Sequence, residues 1–201
     1  MRRRIWGAIA AVVTLTTVAA AAEPTDALKA RIDRVLMLLE EPGDRQAEIR
    51  KVAEEIFDFE EMSRRALGPH WNARTPDERR EFITLFTDLL ERSYLARVEG
   101  GRGGKVLYTG ESVSGDEASV RTRIVTPQRP EIPVDYRMHR KAGRWQIYDV
   151  NIEGISLVNN YRSQFNAVIQ SSSYAALVER LRSKETDATV SPRSPRRPRR
   201  D

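Results

Sequence analysis

Apolar side chains recur with the period of an α-helix between residues 24 and 98. Two amphipathic helices are predicted on either side of a Pro-Gly-Asp break at residues 42–44. A short third helix is predicted after Asp58, and it ends before Pro69 because proline cannot continue a helix. A long fourth helix is predicted from Thr75, where Thr-Pro-Asp-Glu matches a capping box with proline at the first helical position.

The period changes from 3.6 to 2 after the glycine-rich segment 100–104. This alternation predicts four strands, over residues 105–109, 118–126, 132–140 and 144–150. Short turns between them predict an antiparallel sheet with one apolar face. Helical periodicity returns after Gly154. The order of elements therefore predicts an α+β fold, with helices packed on a curved, mainly antiparallel four-stranded sheet.

The first 22 residues have the layout of a secretory signal. Three arginines follow Met1, an apolar stretch comes next, and four alanines at 19–22 precede Glu23. We expect cleavage after Ala22 and a periplasmic mature protein, with an uncleaved anchor helix as the alternative. The predicted organisation is listed here by range: signal peptide 1–22, domain 23–185 (helical part 24–98, sheet 105–151, C-terminal helices 155–184) and disordered Arg/Pro tail 186–201.

The chain of 201 residues has a formal net charge of +5, but the charge lies at the two ends. Arg2–Arg4 carry +3 and the last ten residues carry +4, so the body between them has a net charge of −2. The body therefore gives no reason to expect nucleic-acid binding. The tail is either a solvated segment without a specific role or a weak adsorber to anionic lipid surfaces.

The residue types leave few options for catalysis. The chain has no cysteine, which excludes disulfides, Cys-ligated metals and thiol nucleophiles, and its two histidines lack partners at metal-ligand spacing. We expect no metal and no catalytic residue. One enzymatic alternative stays open, in which Asp149, beside Tyr148, works in an apolar pocket of the curved sheet. The competing interpretation is that Asp149 ends its strand and hydrogen-bonds the following turn.

Two segments resemble the MlaC (toluene-tolerance auxiliary protein) family. They are residues 57–71, FDFEEMSRRALGPHW, and residues 148–165, YDVNIEGISLVNNYRSQF. The similarity extends in order from about Asp26 to about Lys184 and follows the expected signal peptide, whereas the Arg/Pro tail departs from the family pattern. The resemblance implies a sheet of the nuclear-transport-factor type that encloses a deep apolar cavity for acyl chains.

The resemblance also implies a function. It indicates a periplasmic phospholipid carrier that moves lipid between the outer and inner membranes and helps to maintain outer-membrane lipid asymmetry. The implied partners are phospholipid, an inner-membrane ABC transporter with an MCE-domain subunit, and an outer-membrane lipoprotein–porin complex. Bound phospholipid would be cargo, and no cofactor is expected. Alternatives are a hopanoid or other isoprenoid lipid carrier, a small periplasmic enzyme, or an interaction module with a filled core.

A cavity between the long helix and the apolar sheet face would be lined by apolar residues of both. The candidates are Phe82, Leu85, Phe86, Leu89, Val120, Ile124, Val134, Tyr136, Met138, Ile147, Val158, Tyr161 and Phe165. Arg162 is the candidate for contact with the anionic head group. Each apolar candidate could equally belong to an ordinary packed core, because sequence does not separate a closed core from a hollow one.

Overall fold

The computed structural model describes residues 23–99, 102–127 and 131–183. The predicted signal peptide, its cleavage point and the tail at 186–201 lie outside these ranges. The elements are α1 (Pro24–Glu40), α2 (Gln46–Ile56), α3 (Phe59–Leu67), α4 (Pro76–Glu99), β1 (Lys105–Ser114), β2 (Glu117–Val125), β3 (Ile132–Lys141), β4 (Arg144–Ile152), β5 (Ile155–Ser156), α5 (Leu157–Ser171) and α6 (Tyr174–Arg182). In the described part of the chain, no helix has the length and apolar character needed to cross a membrane.

Helices α3 to α6 begin at a capping residue whose side chain accepts a hydrogen bond from a backbone amide of the first turn. The capping box predicted at α4 is formed: the Thr75 amide donates to Glu78 Oε2 at 2.7 Å, and the Glu78 amide donates to Thr75 Oγ1 at 3.2 Å. Asp58 caps α3, and serine hydroxyls at Ser156 and Ser173 cap α5 and α6. Local sequence thus determines these boundaries.

The five strands form one sheet in the order β1-β2-β3-β4-β5, with each strand antiparallel to the next. The predicted α+β class is confirmed, but the predicted count of four strands is one too low. The two-residue strand β5 is too short to show an alternating pattern, which explains the miss. Register shifts at Tyr108/Gly110 and Arg137/Met138 mark irregularities of the kind that bend a sheet.

The helices divide into two groups around the sheet. Helices α1 and α2 contact the strands directly, α1 at β1 and β2 and α2 at β4. Helices α3 to α6 pack mainly on one another, and α3 and α5 join the sheet at β4. Their shared apolar cluster, here called the helical core, contains Met62, Ala66, Leu67, Trp71, Phe82, Phe86, Leu89, Leu90, Val158, Tyr161, Phe165, Leu177 and Leu181. We call the sheet face beneath α1 and α2 the inner face.

Candidate functional site

A cavity of about 730 Å³ lies between the inner face of the sheet, helices α1 and α2, and the last turns of α4. The sheet contributes residues from one face of its strands, most regularly along β3, because alternate side chains of a strand point to the same face. The sheet's share of the wall is Val106, Ile124, Ile132, Val134, Tyr136, Ile147, Val150, Ile152 and Ile155. The cavity is therefore a hollow inside an apolar wall.

The helical side of the wall comes from residues at helical spacing. Helix α1 contributes Leu28, Ile32, Val35, Leu36 and Leu39; helix α2 contributes Ile49, Val52, Ala53 and Ile56; and helix α4 contributes Leu90, Tyr94, Leu95 and Val98. Residues at i, i+4, i+7 and i+8 share one face of a helix, so an amphipathic stripe makes a continuous apolar wall. The sequence predicts the apolar stripes on α1 and α2, but it does not predict which surface they face.

Three of the four charged residues that line the cavity, Arg31, Arg50 and Glu91, form ion pairs. Arg31 of α1 lies 3.5 Å from Glu55 of α2, and Arg50 of α2 lies 2.7 Å from Glu91 of α4. Burial raises the pKa of Glu91, although the neighbouring Arg50 opposes that rise. These two ion pairs join α2 to α1 and to α4. They also neutralise the charges of the residues that form them.

Three residues that line the cavity are exposed to solvent, namely Arg50 of α2, Val98 of α4 and Glu153 of the β4–β5 turn. The solvent-exposed part of the lining is therefore partly polar, whereas the interior is largely aliphatic. An amphiphile with an apolar chain and a polar end matches this distribution.

Four of the sequence-predicted cavity residues lie on the cavity wall: Ile124, Val134, Tyr136 and Ile147. All four belong to the sheet, where alternation specifies the inward side chains. Burial raises the pKa of Tyr136 to about 12, so its hydroxyl stays neutral inside the cavity.

The other nine predicted residues lie in packed regions and do not line the cavity. Seven belong to or pack on the helical core: Phe82, Leu85, Phe86, Leu89, Val158, Tyr161 and Phe165. Val120 and Met138 are fully buried in the apolar cluster on the sheet. Most of α4 faces α3, α5 and α6, so the α4 residues of this set pack between helices. Only the last turns of α4 reach the hollow.

Arg162 also lies away from the cavity. It lines a separate concavity of about 260 Å³ together with Arg64, Arg65, Arg137 and Asp149. This concavity and the cavity have no lining residue in common. A role for Arg162 at the head group of a lipid inside the cavity therefore gains no support from its position.

Asp149 has a structural explanation that requires no reaction. Its carboxylate is 3% exposed, accepts a hydrogen bond from Ser156 Oγ at 2.7 Å and another from the Val158 amide at 3.1 Å. It pairs across the sheet with Arg137 on the face opposite the cavity. The alternative of Asp149 as a catalytic group in an apolar pocket does not match this geometry, because both carboxylate oxygens accept hydrogen bonds at the start of α5.

Both histidines contact polar side chains in the structure. His139 Nε2 lies 3.0 Å from Asp58 Oδ2, and His70 Nε2 lies 2.9 Å from Asn166 Oδ1. Among the described residues, no group of three or more His, Cys, Asp or Glu side chains is arranged to hold a metal ion. The cavity remains the feature with the clearest capacity for a ligand.

The fold and the cavity together define a class of protein: an α+β domain whose helix-covered sheet surrounds a hollow suited to an apolar ligand. Residues 24–183 match the family model described as MlaC protein. This chain therefore belongs to the MlaC family.

Two further similarities agree with that membership. The chain is 20% identical over 122 residues to the intermembrane phospholipid transport system binding protein MlaC of Haemophilus influenzae, and the match covers 58% of this chain and 57% of that relative. The fold is similar, with a TM-score of 0.74 and 24% identity, to the phospholipid-binding protein from Ralstonia solanacearum, solved in complex with a phospholipid. That match covers 85% of this chain and all of the solved one.

Proposed function

We propose that this protein is a periplasmic carrier that holds a phospholipid in the cavity and moves it between the outer and inner membranes. The observation that carries the proposal is the apolar cavity of about 730 Å³ between α1, α2 and the sheet. Its interior suits acyl chains, and the partly polar, solvent-exposed part of its lining suits a head group that stays in contact with water.

The energetics explain why such a carrier needs a hollow. Each buried CH₂ is worth about 0.8 kcal/mol, so two acyl chains of roughly fifteen carbons resist leaving a membrane by some 20 kcal/mol. An apolar cavity offsets most of that cost, because it replaces the membrane as the apolar environment of the acyl chains. A filled core offers no such compensation.

The comparisons support a place for the carrier in a lipid transport system. A relative is named as the binding protein of an intermembrane phospholipid transport system, and the similar solved structure contains a phospholipid. We propose that this chain serves as the soluble component of an ABC-type system that maintains outer-membrane lipid asymmetry. It would receive or deliver lipid at an outer-membrane lipoprotein–porin complex and at an inner-membrane transporter with an MCE-domain subunit. It would act without catalysing a reaction.

Mass spectrometry of the undenatured protein, purified from the periplasm without detergent, tests the proposal. We expect about one phospholipid per chain, an N-terminus at Glu23 or close to it, and loss of the lipid when the protein is denatured. Identification of the extracted lipid separates a phospholipid carrier from a carrier of hopanoids or other isoprenoids. Protein that is free of lipid and does not accept it from vesicles would contradict the proposal.

A further inference from the structure

The arginine pocket is the second concavity of interest, and it lies on the outer face of the sheet. Four arginines line its volume of about 260 Å³: Arg64 and Arg65 from α3, Arg137 from β3 and Arg162 from α5. Side chains from three different elements therefore meet at one concavity. All four guanidinium-bearing side chains are partly or largely exposed, so a ligand in solvent can reach them.

The sheet separates this pocket from the cavity. Arg137 and Asp149 are opposite one another across β3 and β4 and line the arginine pocket. The adjacent pair Tyr136 and Val150 lines the cavity instead. Successive side chains of a strand point to opposite faces, so the two sites lie on opposite sides of one sheet. A lipid held in the cavity cannot account for the arginines.

The positive charge of the pocket is only half compensated. Glu61 accepts hydrogen bonds from both Arg64 and Arg65, each at 2.6 Å. Asp149 is the second carboxylate, and its oxygens already accept hydrogen bonds from Ser156 and the Val158 amide. Arg137 lies 3.7 Å from Asp149, too far for a direct hydrogen bond. Counting the residues that line the pocket together with Glu61, four guanidinium groups against two carboxylates leave an excess of two positive charges; Glu117, which acts on the Tyr148 ring, lies outside that lining.

Arg162 is held in place without being neutralised. Within the described residues, it makes no ion pair or hydrogen bond. Its Cγ and Cδ pack over Gly68, where an added Cβ would lie only 3.2 Å from Arg162 Cδ and where φ is +55°. A glycine is needed at this position for both reasons. On the opposite wall, the Arg65 guanidinium lies 4.1 Å from the centre of the Tyr148 ring, which fixes its plane.

We propose that the arginine pocket binds a phosphate group, with Arg137 and Arg162 as its principal ligands and Arg64 as the third. One guanidinium group can donate hydrogen bonds to both oxygens of a carboxylate, as Arg64 does with Glu61. A phosphate group carries close to two negative charges and three acceptor oxygens, which matches an excess of two positive charges presented from three elements. The first turn of α5 adds the positive end of its helix dipole. The proposal is independent of lipid carriage.

Titration of the purified protein with inorganic phosphate at low salt, followed by calorimetry and by NMR shifts of pocket amides, tests this site. We expect one phosphate per chain, with binding weakened tenfold or more by Arg162→Gln and by Arg137→Gln. Arg144→Gln is the matched control, because Arg144 is an exposed arginine of β4 outside the pocket, and it should leave the affinity unchanged. An unchanged circular dichroism spectrum and an unchanged urea midpoint establish that the variants are folded.

Vesicles identify the source of the phosphate. Binding of inorganic phosphate together with Arg162-dependent binding to phosphatidylcholine vesicles that contain phosphatidic acid assigns the site to a membrane head group. Phosphate binding without vesicle binding assigns it to a soluble phosphate. The proposal is overturned if neither probe binds, if Arg144→Gln weakens binding as much as Arg162→Gln, or if only a glutamate-rich peptide binds. The last result would indicate a docking surface for an acidic protein.

Discussion

The helical core and the cavity region are both apolar, yet one is solid and the other is hollow. In the helical core, the rings of Phe82, Phe86, Tyr161 and Phe165 meet at centroid distances of 5.1 to 5.9 Å. Most of these contacts are edge-to-face, an arrangement that aromatic pairs favour. The cavity wall, in contrast, consists largely of Val, Ile and Leu from α1, α2 and the sheet.

The contrast shows that apolar content alone does not determine which region holds a ligand. Large rings from α4 and α5 fill the space between these two helices, whereas aliphatic side chains on a curved sheet and on two covering helices stop short of one another. A chain can therefore keep its stability in one region and its binding capacity in another. Substitutions in the two regions should differ accordingly in what they damage.

The largest expected effect is a loss of stability caused by a substitution in the helical core. Phe86 is 1% exposed and contacts three other aromatic rings. Phe86→Ala should lower the free energy of unfolding by about 3–5 kcal/mol, because it removes a buried ring and leaves a void. Urea unfolding at neutral pH measures the change. A loss below about 1 kcal/mol would mean that the helical core is loosely packed.

The junction between the two regions should be the next most sensitive point. Asp58 is 4% exposed, caps α3 through the Glu61 amide, and accepts from Lys141 Nζ at 2.9 Å and contacts His139 at 3.0 Å on β3. Asp58→Asn should cost about 2–3 kcal/mol, since it weakens charge-assisted hydrogen bonds across that junction. Urea unfolding is again the measurement, and Glu60→Gln, at an exposed neighbour that also contacts Lys141, is the control expected to change little.

Acid should weaken helix α3 through Glu61, whose carboxylate accepts hydrogen bonds from two arginines of the same helix. Burial alone would raise the pKa of Glu61, but hydrogen bonds from Arg64 and Arg65 lower it from 4.5 to about 2. The stabilisation is therefore complete above about pH 4.5 and is lost as the pH falls through about 2.

Comparing urea midpoints at about pH 5 and about pH 2 measures this contribution. Glu61→Gln should destabilise the protein at the higher pH and reduce the difference between the two midpoints. An equal difference in the wild-type protein and in Glu61→Gln would show that the carboxylate contributes nothing to acid sensitivity.

The smallest effect comes from a matched pair of valines. Val158 is 4% exposed in the helical core, where it also borders the arginine pocket, whereas Val35 is half-buried on the cavity wall. Val158→Ala should cost about 2 kcal/mol, and Val35→Ala should cost less than about 1 kcal/mol because a larger part of the Val35 side chain lies outside packed contact. Equal losses in urea unfolding would contradict the distinction between solid and hollow regions.

Most of the fold follows from local sequence. The capping box at Thr75, the Asp58 cap and the alternation in β2 and β3 each specify an element through contacts within a few residues. The inward residues of the sheet follow from the same alternation, which is why Ile124 and Val134 are on the cavity wall. β5 was missed because two residues carry no period.

The location of the cavity depends on long-range packing, and the sequence did not specify it. Phe86 and Leu36 both belong to apolar helical stripes, but the first faces another helix and the second faces the hollow. Which stripe covers the sheet depends on how α1 and α2 return across it. Arg162 shows the same limit, since nothing in its local sequence indicates the arginines of α3 and β3 beside it.

One comparison on strand β2 tests the central claim most directly. Val120 and Ile124 lie four residues apart on the same face, but Val120 is 0% exposed and does not line the cavity, whereas Ile124 is half-buried and lines it. Ile124→Asp can hydrate its charge inside the hollow, whereas Val120→Asp must bury an unpaired charge among packed side chains.

The measurement is circular dichroism together with quantified co-purified phospholipid for the wild-type protein and both variants. The account predicts that the wild type is folded with about one lipid per chain, that Ile124→Asp is folded with little or none, and that Val120→Asp unfolds. It would be contradicted if Ile124→Asp unfolds as Val120→Asp does, or if it keeps its lipid.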